Sequence, residues 1–251
     1  MRYKLLSCEI LYREICAVIA RSKHIIDVEF LPKGLHDLGG ARMKDRLQQA
    51  VDAVDASRYD AVLLGYALCG NGIAGLQAPW IPLVVARAHD CITLFLGSKE
   101  RYIQYFNGNS GVYFRTTGWI ERAQNLEQVP VYMIQGLGAS YQDLVAKYGE
   151  ENARYLYEEM GNFRRHYRRL TYIETGVEPD GSFEERAREE ASSQSWEFEK
   201  VTGDLTLMQS LVNGEWPESD FLVVPPGWRI AARYDDSILA AEPPAEGTQT
   251  P

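Results

Sequence analysis

Three of the four cysteines stand where apolar runs give out. Cys8 closes Tyr3-Lys4-Leu5-Leu6-Ser7-Cys8. Cys69 follows Ala61-Val62-Leu63-Leu64-Gly65-Tyr66-Ala67-Leu68, and Cys91 follows Leu83-Val84-Val85-Ala86-Arg87-Ala88-His89-Asp90. Thiolates suit zinc and iron–sulfur clusters, and imidazole suits zinc and iron. His89 lies two residues before Cys91, and His36 lies in the loop after the second apolar run. The expected site is a zinc ion or an iron–sulfur cluster on Cys8, Cys69 and Cys91, with His89 or His36 as a further ligand. Three protein ligands and one open position is the arrangement of catalytic zinc. Gly70-Asn71-Gly72 lets backbone approach a bound group closely. Arg87 and Lys99 offer positive charge to a small anionic or thiol-type substrate, and Trp228 offers an aromatic wall.

Each residue also has a plainer reading. A single cytosolic cysteine at a strand end is most often a small buried hydrophobe. Cys16 sits at core spacing within the first helix and is assigned to the core. His36 and His89 read equally well as hydrogen-bonded structural histidines. Arg87 reads equally well as half of an ion pair. A metal-free alternative makes Cys91 and His89 a nucleophile pair, although spacing alone does not bring them into contact. Asp90 is a candidate to orient an imidazole. No Gly-Lys-Ser/Thr follows the glycines, so they do not form a phosphate-binding loop.

The elements that must position these residues alternate strand and helix. Residues 3–8, 25–31, 60–68 and 82–88 read as strands; 9–21 and 41–56 read as helices. The unbroken apolar run at 60–68 marks a parallel strand buried on both faces. If the first strand lies beside the third, and the third beside the fourth, the three thiols reach one sheet edge. Ligands of open α/β sheets bind at that carboxyl edge. Residues 98–107 form a helix capped by Ser98 with Arg101 three positions on; 111–121 form a strand and loop, and 140–170 hold a long helical region. Residues 171–175, 196–200 and 220–225 are strands, with helices at 182–191 and 204–213. The expected fold is α/β, with two Rossmann-like lobes of mainly parallel sheet and an interlobe cleft. Residues 1–110 form the N-terminal lobe, 111–170 a connecting region, 171–240 the C-terminal lobe and 241–251 a disordered tail. Pro225-Pro226-Gly227-Trp228 is expected to face the cysteine edge across that cleft.

The net charge of −9 disfavours a nucleic-acid binder, which needs a basic face. No apolar run approaches the roughly 18–20 residues of a membrane span. With no secretory signal in view, the expected compartment is the cytoplasm, where thiols stay reduced.

At the same residues the chain resembles a known family. Leu68-Cys69-Gly70-Asn71-Gly72, the block Arg87-Ala88-His89-Asp90-Cys91 running on to Tyr102, Thr117-Gly118-Trp119-Ile120-Glu121, Leu170-Thr171-Tyr172-Ile173-Glu174-Thr175-Gly176 and Leu35-His36 resemble the signature of the DUF1638 proteins. The resemblance spans roughly residues 3–230. It implies an association with methyl metabolism and a corrinoid protein or methyltransferase as a partner. Two functions of different class follow. One is a metalloenzyme acting on a small molecule; the other is a non-catalytic accessory protein of a corrinoid and methyltransferase system.

Overall fold

The computed structural model describes residues 1–38, 40–109, 111–122, 141–161 and 167–244. The chain opens with β1 (Arg2–Cys8), a 3-10 turn (Glu9–Leu11) and α1 (Tyr12–Ile19). It continues through β2 (Ile25–Leu31), α2 (Gly40–Asp52), β3 (Ala61–Gly65) and β4 (Leu83–Ala86). Two helices follow, α3 (Cys91–Leu96) and α4 (Lys99–Gly108). Next come β5 (Val112–Arg115), α5 (Thr117–Glu121), α6 (Tyr141–Tyr148) and α7 (Glu150–Gly161). The last third holds β6 (Arg169–Glu174), α8 (Ser182–Ser193), β7 (Glu197–Thr202), α9 (Thr206–Asn213), β8 (Phe221–Val224), β9 (Arg229–Ala232) and β10 (Leu239–Glu242).

The protein is a mixed α/β structure in which most strand pairs are parallel. The first sheet has the order β2-β1-β3-β4-β8. Its first four strands run parallel, and β8 closes the β4 edge antiparallel, with Leu83 opposite Val224 and Ala86 opposite Phe221. Every residue of β3 and β4 is buried, as a sheet covered on both faces requires. Side chains alternate between the two faces. Leu5, Leu63 and Val84 join Ile15, Val18 and Leu211 on one side, whereas Leu6, Val62, Leu64 and Val85 join Met43 and Leu47 on the other.

The second sheet, β5-β6-β7, is wholly parallel. Its own core is small: Ile120, Leu170, Tyr172, Ala187 and Ala191. Ile173, on the opposite face of β6, packs into the core of the first sheet. A two-stranded ribbon, β9–β10, flanks the first sheet, and Arg229 bridges Gln77 in the loop between β3 and β4.

Several expectations change here. Residues 220–225 were expected to end a second lobe; Phe221–Val224 instead return to the first sheet. The apolar pattern of a strand does not state its direction or its partner. Residues 91–96 form a helix because Asp90 caps it, accepting the Ile92 amide at 3.0 Å. The long helical region is split by Gly149, whose φ of 78° a helix interior does not allow. Residues 162–166 of that region lie outside the described residues. Cys16, assigned to the core, is exposed on α1. The ribbon strand β10 includes Ala241 and Glu242 of the expected tail, and residues 245–251 lie outside the described residues.

Candidate functional site

The strand order reverses between β1 and β3, since the chain moves to one side for β2 and to the other for β3. The crevice outside the carboxyl ends of such a pair is the usual ligand position of this architecture. Cys8 ends β1, opposite Leu31. Cys69 lies past the end of β3, where the Leu68 and Cys69 amides donate to the carbonyls of Ala88 and His89, each at 2.9 Å. These bonds carry the β3–β4 pairing beyond the strands and bring Cys69 beside the segment leading to Cys91. Cys91 is the first residue of α3.

The backbone at Cys69 is unusual. Cys69, Gly70 and Asn71 have φ of 46°, 62° and 69°, and the Gly72 amide closes the turn on the Cys69 carbonyl at 3.2 Å. Two left-handed central residues make this a type I′ turn, for which glycine and asparagine are suited. Cys69, which opens the turn, is left-handed as well, and that conformation costs a residue with a Cβ about 1–2 kcal/mol. Backbone strain of this kind gathers at functional sites.

The three thiols share one electrostatic environment. Burial pushes Cys8 up to about 12; the Ile10 N–H works against it, and Cys69 adds to it. Burial pushes Cys69 up to about 11, opposed by backbone N–H groups of Ala67 and Cys91, with Asp90 adding. Cys91 lies well above the usual thiol range through burial, then through the charges of Cys69, Asp90 and Cys8, while the Trp119 side chain opposes them. The sulfurs therefore feel one another, and nearby N–H groups offset part of the rise. Only a donor stabilises a thiolate, so these contacts favour sulfur as an anion. Desolvation outweighs them, and the free thiols keep their protons at neutral pH.

Other groups complete the crevice. Tyr66 is 3% exposed, and its hydroxyl has no hydrogen-bond partner among the described residues. Burial raises its pKa first, then the charges of Cys8 and Cys69. A buried phenol facing two thiols with nothing to bond is a costly arrangement without a ligand. Trp119 is delivered by α5, and the Lys33 ammonium lies 5.0 Å from its ring centre. Gly118 lets α5 come this close: a Cβ there would lie 1.7 Å from the Ile10 carbonyl oxygen.

The remaining expected site residues separate from the thiols. His89 is exposed and turned toward Tyr102, with ring centroids 6.4 Å apart. The His36 side chain lies outside the described residues. Asp90 does not orient an imidazole; it caps α3 and accepts the Tyr102 hydroxyl at 2.8 Å. Gly70 and Asn71 are exposed at the turn, and Gly72 is buried against Met43.

Arg87, expected to meet an anionic ligand, is 8% exposed. Its Nε donates to the carbonyls of Glu218 at 2.8 Å and Phe221 at 3.1 Å, and its Nη1 to Ser237 at 2.9 Å and to Leu239. This corrects the substrate-binding expectation: the guanidinium is a clamp between β4, β8 and the ribbon. Lys99 Nζ donates to the Ser219 carbonyl at 2.7 Å. Trp228 lies at the opposite edge of the sheet from the thiols, because antiparallel β8 ends beside Leu83, where β4 begins. Its amide bonds the Pro225 carbonyl at 3.0 Å and its carbonyl accepts the Ala78 amide at 2.8 Å. Sequence reasoning had passed over Tyr66. The available signal was a phenol inside an apolar strand run, whose hydroxyl needs a partner when buried.

Among the described residues no group of three His, Cys, Asp or Glu side chains is arranged to hold a metal ion. Nor does any described helix have the length and apolarity to cross a membrane. No curated protein and no solved structure matches the chain at a significant level. A family model does match, over residues 30–212, which takes in Cys69 and Cys91 and begins after Cys8. By that match the chain belongs to DUF1638, a family described as proteins of unknown function.

Proposed function

We propose that the protein binds a thiophilic metal centre, a zinc ion or an iron–sulfur cluster, through Cys8, Cys69 and Cys91. One observation supports this above the others: three thiols from three segments stand at one sheet edge, close enough for the charge of one to raise the pKa of another. The N–H groups that oppose this rise would also tune a metal-bound thiolate. The orphaned Tyr66 hydroxyl fits the same reading, as a group that gains a partner when the crevice is filled. Side-chain movement would have to bring the sulfurs onto a common centre, since the described positions do not hold one. Three thiolates leave one coordination position open, which supplies Lewis-acid chemistry to a small ligand when the metal is bound. Around it, Trp119 and the Ile10, Ala67 and Cys91 amides lie near the sulfurs, and Tyr66 offers a hydroxyl.

Protein made without oxygen should carry zinc, or iron with sulfide, in near-stoichiometric amount by elemental analysis. Cys69→Ala should lose most of it, and Cys16→Ala, altered on an exposed face of α1, should lose none. Equal metal content in the two variants would reject the ligand assignment. The pH dependence has a definite sign. Thiols protonated up to about 11 and about 12 must release protons on binding, so apparent affinity should fall as pH falls below neutral. A competition titration with a chromophoric chelator at several pH values reads this directly; a pH-independent affinity would contradict thiolate ligation.

A further inference from the structure

A second concavity of about 260 Å³ lies on the other side of the His89–Cys91 segment. Its walls come from three elements. The turn between β4 and α3, with α3 itself, contributes His89 and Thr93; α4 contributes Lys99, Glu100, Tyr102 and Ile103; the β9–β10 turn contributes Asp235, Asp236 and Ile238. At about 30 Å³ per water the space corresponds to roughly eight or nine waters, which suits a small metabolite.

Two features mark it as more than a surface dimple. Thr93 is 1% exposed, yet its hydroxyl has no hydrogen-bond partner among the described residues. A helical threonine normally returns this bond to the preceding turn; here the hydroxyl is left without a partner in the pocket wall. Ile238 has a φ of 61°, in a region a β-branched residue rarely enters. That turn is held shut by the Asp235 carboxylate, which accepts the Ser237 amide at 2.9 Å and the Ser237 hydroxyl. It is held from beneath by Arg87, through the Ser237 and Leu239 carbonyls. The clamp and the strained turn fix one wall of the pocket against the carboxyl end of β4.

The walls carry charge of both signs in separate places. The ribbon turn presents Asp235 and Asp236. The first turn of α4 presents Lys99, with Glu100 beside it, at a helix start whose Ser98 side chain takes only the Arg101 amide. We infer that this pocket binds a small zwitterion of the amino-acid class, with its ammonium group toward Asp235 and Asp236. Its carboxylate lies toward Lys99, whose ammonium also donates to the Ser219 carbonyl, and the Tyr102 and Ile103 side chains meet its carbon skeleton. A purely anionic ligand would meet three carboxylates, Asp235, Asp236 and Glu100, against Lys99 and His89 in the walls and Arg87 and Arg233 beside Asp235. A simple amine would leave Lys99 unused. The inference does not depend on metal binding at the thiols.

The test is calorimetric titration of the full chain with the small L-amino acids, beside ethylamine and propionate as single-charge counterparts of L-alanine. At least one amino acid should bind saturably, with a Kd at least about tenfold below either single-charge probe. Lys99→Ala and Asp236→Asn should each weaken it by about fivefold or more, with melting curves confirming that both variants fold. Cys69→Ala should bind the amino acid as the parent does, so that metal loss and ligand loss report on separate sites. Failure of every amino acid to saturate below about 10 mM would overturn the assignment. So would equal binding of ethylamine or propionate, or unchanged affinity in both pocket variants.

Discussion

Strands β3 and β4 of the first sheet are buried along their whole length, whereas β7 of the second sheet alternates exposed and half-buried residues. The contrast extends to charge. The second sheet and its helix are laced with ion pairs: Arg115 with Glu190 at 2.7 Å, Arg169 with Glu197 at 3.0 Å, and Lys200 with both Glu174 and Glu184 at 3.3 and 2.9 Å. At the carboxyl edge of the first sheet three thiols and a phenol are buried, and burial keeps them neutral. Both sheets are built from parallel strands joined by helices. The difference is how completely each is covered, and cover decides whether an edge holds charges or holds protons. The seam between the two combines both regimes: Gly118 of α5 rests on Ile10, and Glu14 of α1 is buried against Thr175, which follows β6.

The sharpest way to break the comparison is to force the seam apart. Gly118→Ala puts a methyl group onto the Ile10 carbonyl, a backbone atom that no side-chain rotation can move. Overpacking of this severity should cost about 3 kcal/mol or more, read as a lower urea midpoint. It should also displace Trp119 from Cys91. A variant as stable as the parent would mean that the two layers are not pressed together there.

A smaller effect sharpens the contrast between neutral and charged regions. Glu14 is fully buried; its Oε1 accepts the Thr175 hydroxyl at 2.8 Å, and its Oε2 has no partner. Burial pushes its carboxyl up from 4.5 to about 7; its own backbone amide and Thr175 oppose the shift, and Glu178 adds to it. Between those values the folded chain holds a proton that the unfolded chain has released. Stability therefore falls as pH rises from 4.5 to about 7, by about 3 kcal/mol in all, and is level above that. Glu14→Gln should remove this slope, leaving stability unchanged near pH 4 and raised at pH 8. Parallel pH curves for parent and variant would refute the buried neutral carboxyl.

The smallest effect belongs to the charged surface of the second sheet. Arg188 and Glu184 pair at 2.6 Å one helical turn apart, with the arginine more than half exposed. Arg188→Ala should cost less than about 1 kcal/mol, and less still in high salt. A larger, salt-insensitive loss would show that this surface is stabilised by more than exposed pairs.

How much of this was legible beforehand depended on what each residue had to obey. The strands at 3–8 and 25–31 and the Ser98 cap follow from local rules; the Arg101 amide does meet the Ser98 oxygen, at 3.1 Å. The placement of Cys8, Cys69 and Cys91 after the ends of β1, β3 and β4 was accessible because parallel strands in this order deliver their ends to one edge. What surrounds the thiols was not. Trp119 and the Ile10 amide arrive through a contact that only a missing Cβ permits, and no pattern in the chain announces it. Arg87 looked like a ligand group because a cation after a strand often is one. Its carbonyl partners lie 131 to 152 residues further on, beyond any spacing rule. Cys16 was misplaced because α1 has a narrow buried face, and the thiol falls just outside it.

The return of β8 has a consequence for how the chain is made. The second sheet is an insertion between α4 and α9, and the β4 edge stays unpaired until Phe221 follows it. Until then the Arg87 guanidinium also lacks the four carbonyls that later surround it. During synthesis the thiol-bearing sheet therefore waits, with an open strand edge and an unmatched cation, while more than a hundred residues are added between its last two strands. Pairings this distant in sequence slow folding and prolong the exposure of unpaired strand edges. The nascent chain should be most vulnerable to misassembly, and to oxidation of its three uncovered thiols, in the interval before β8 docks.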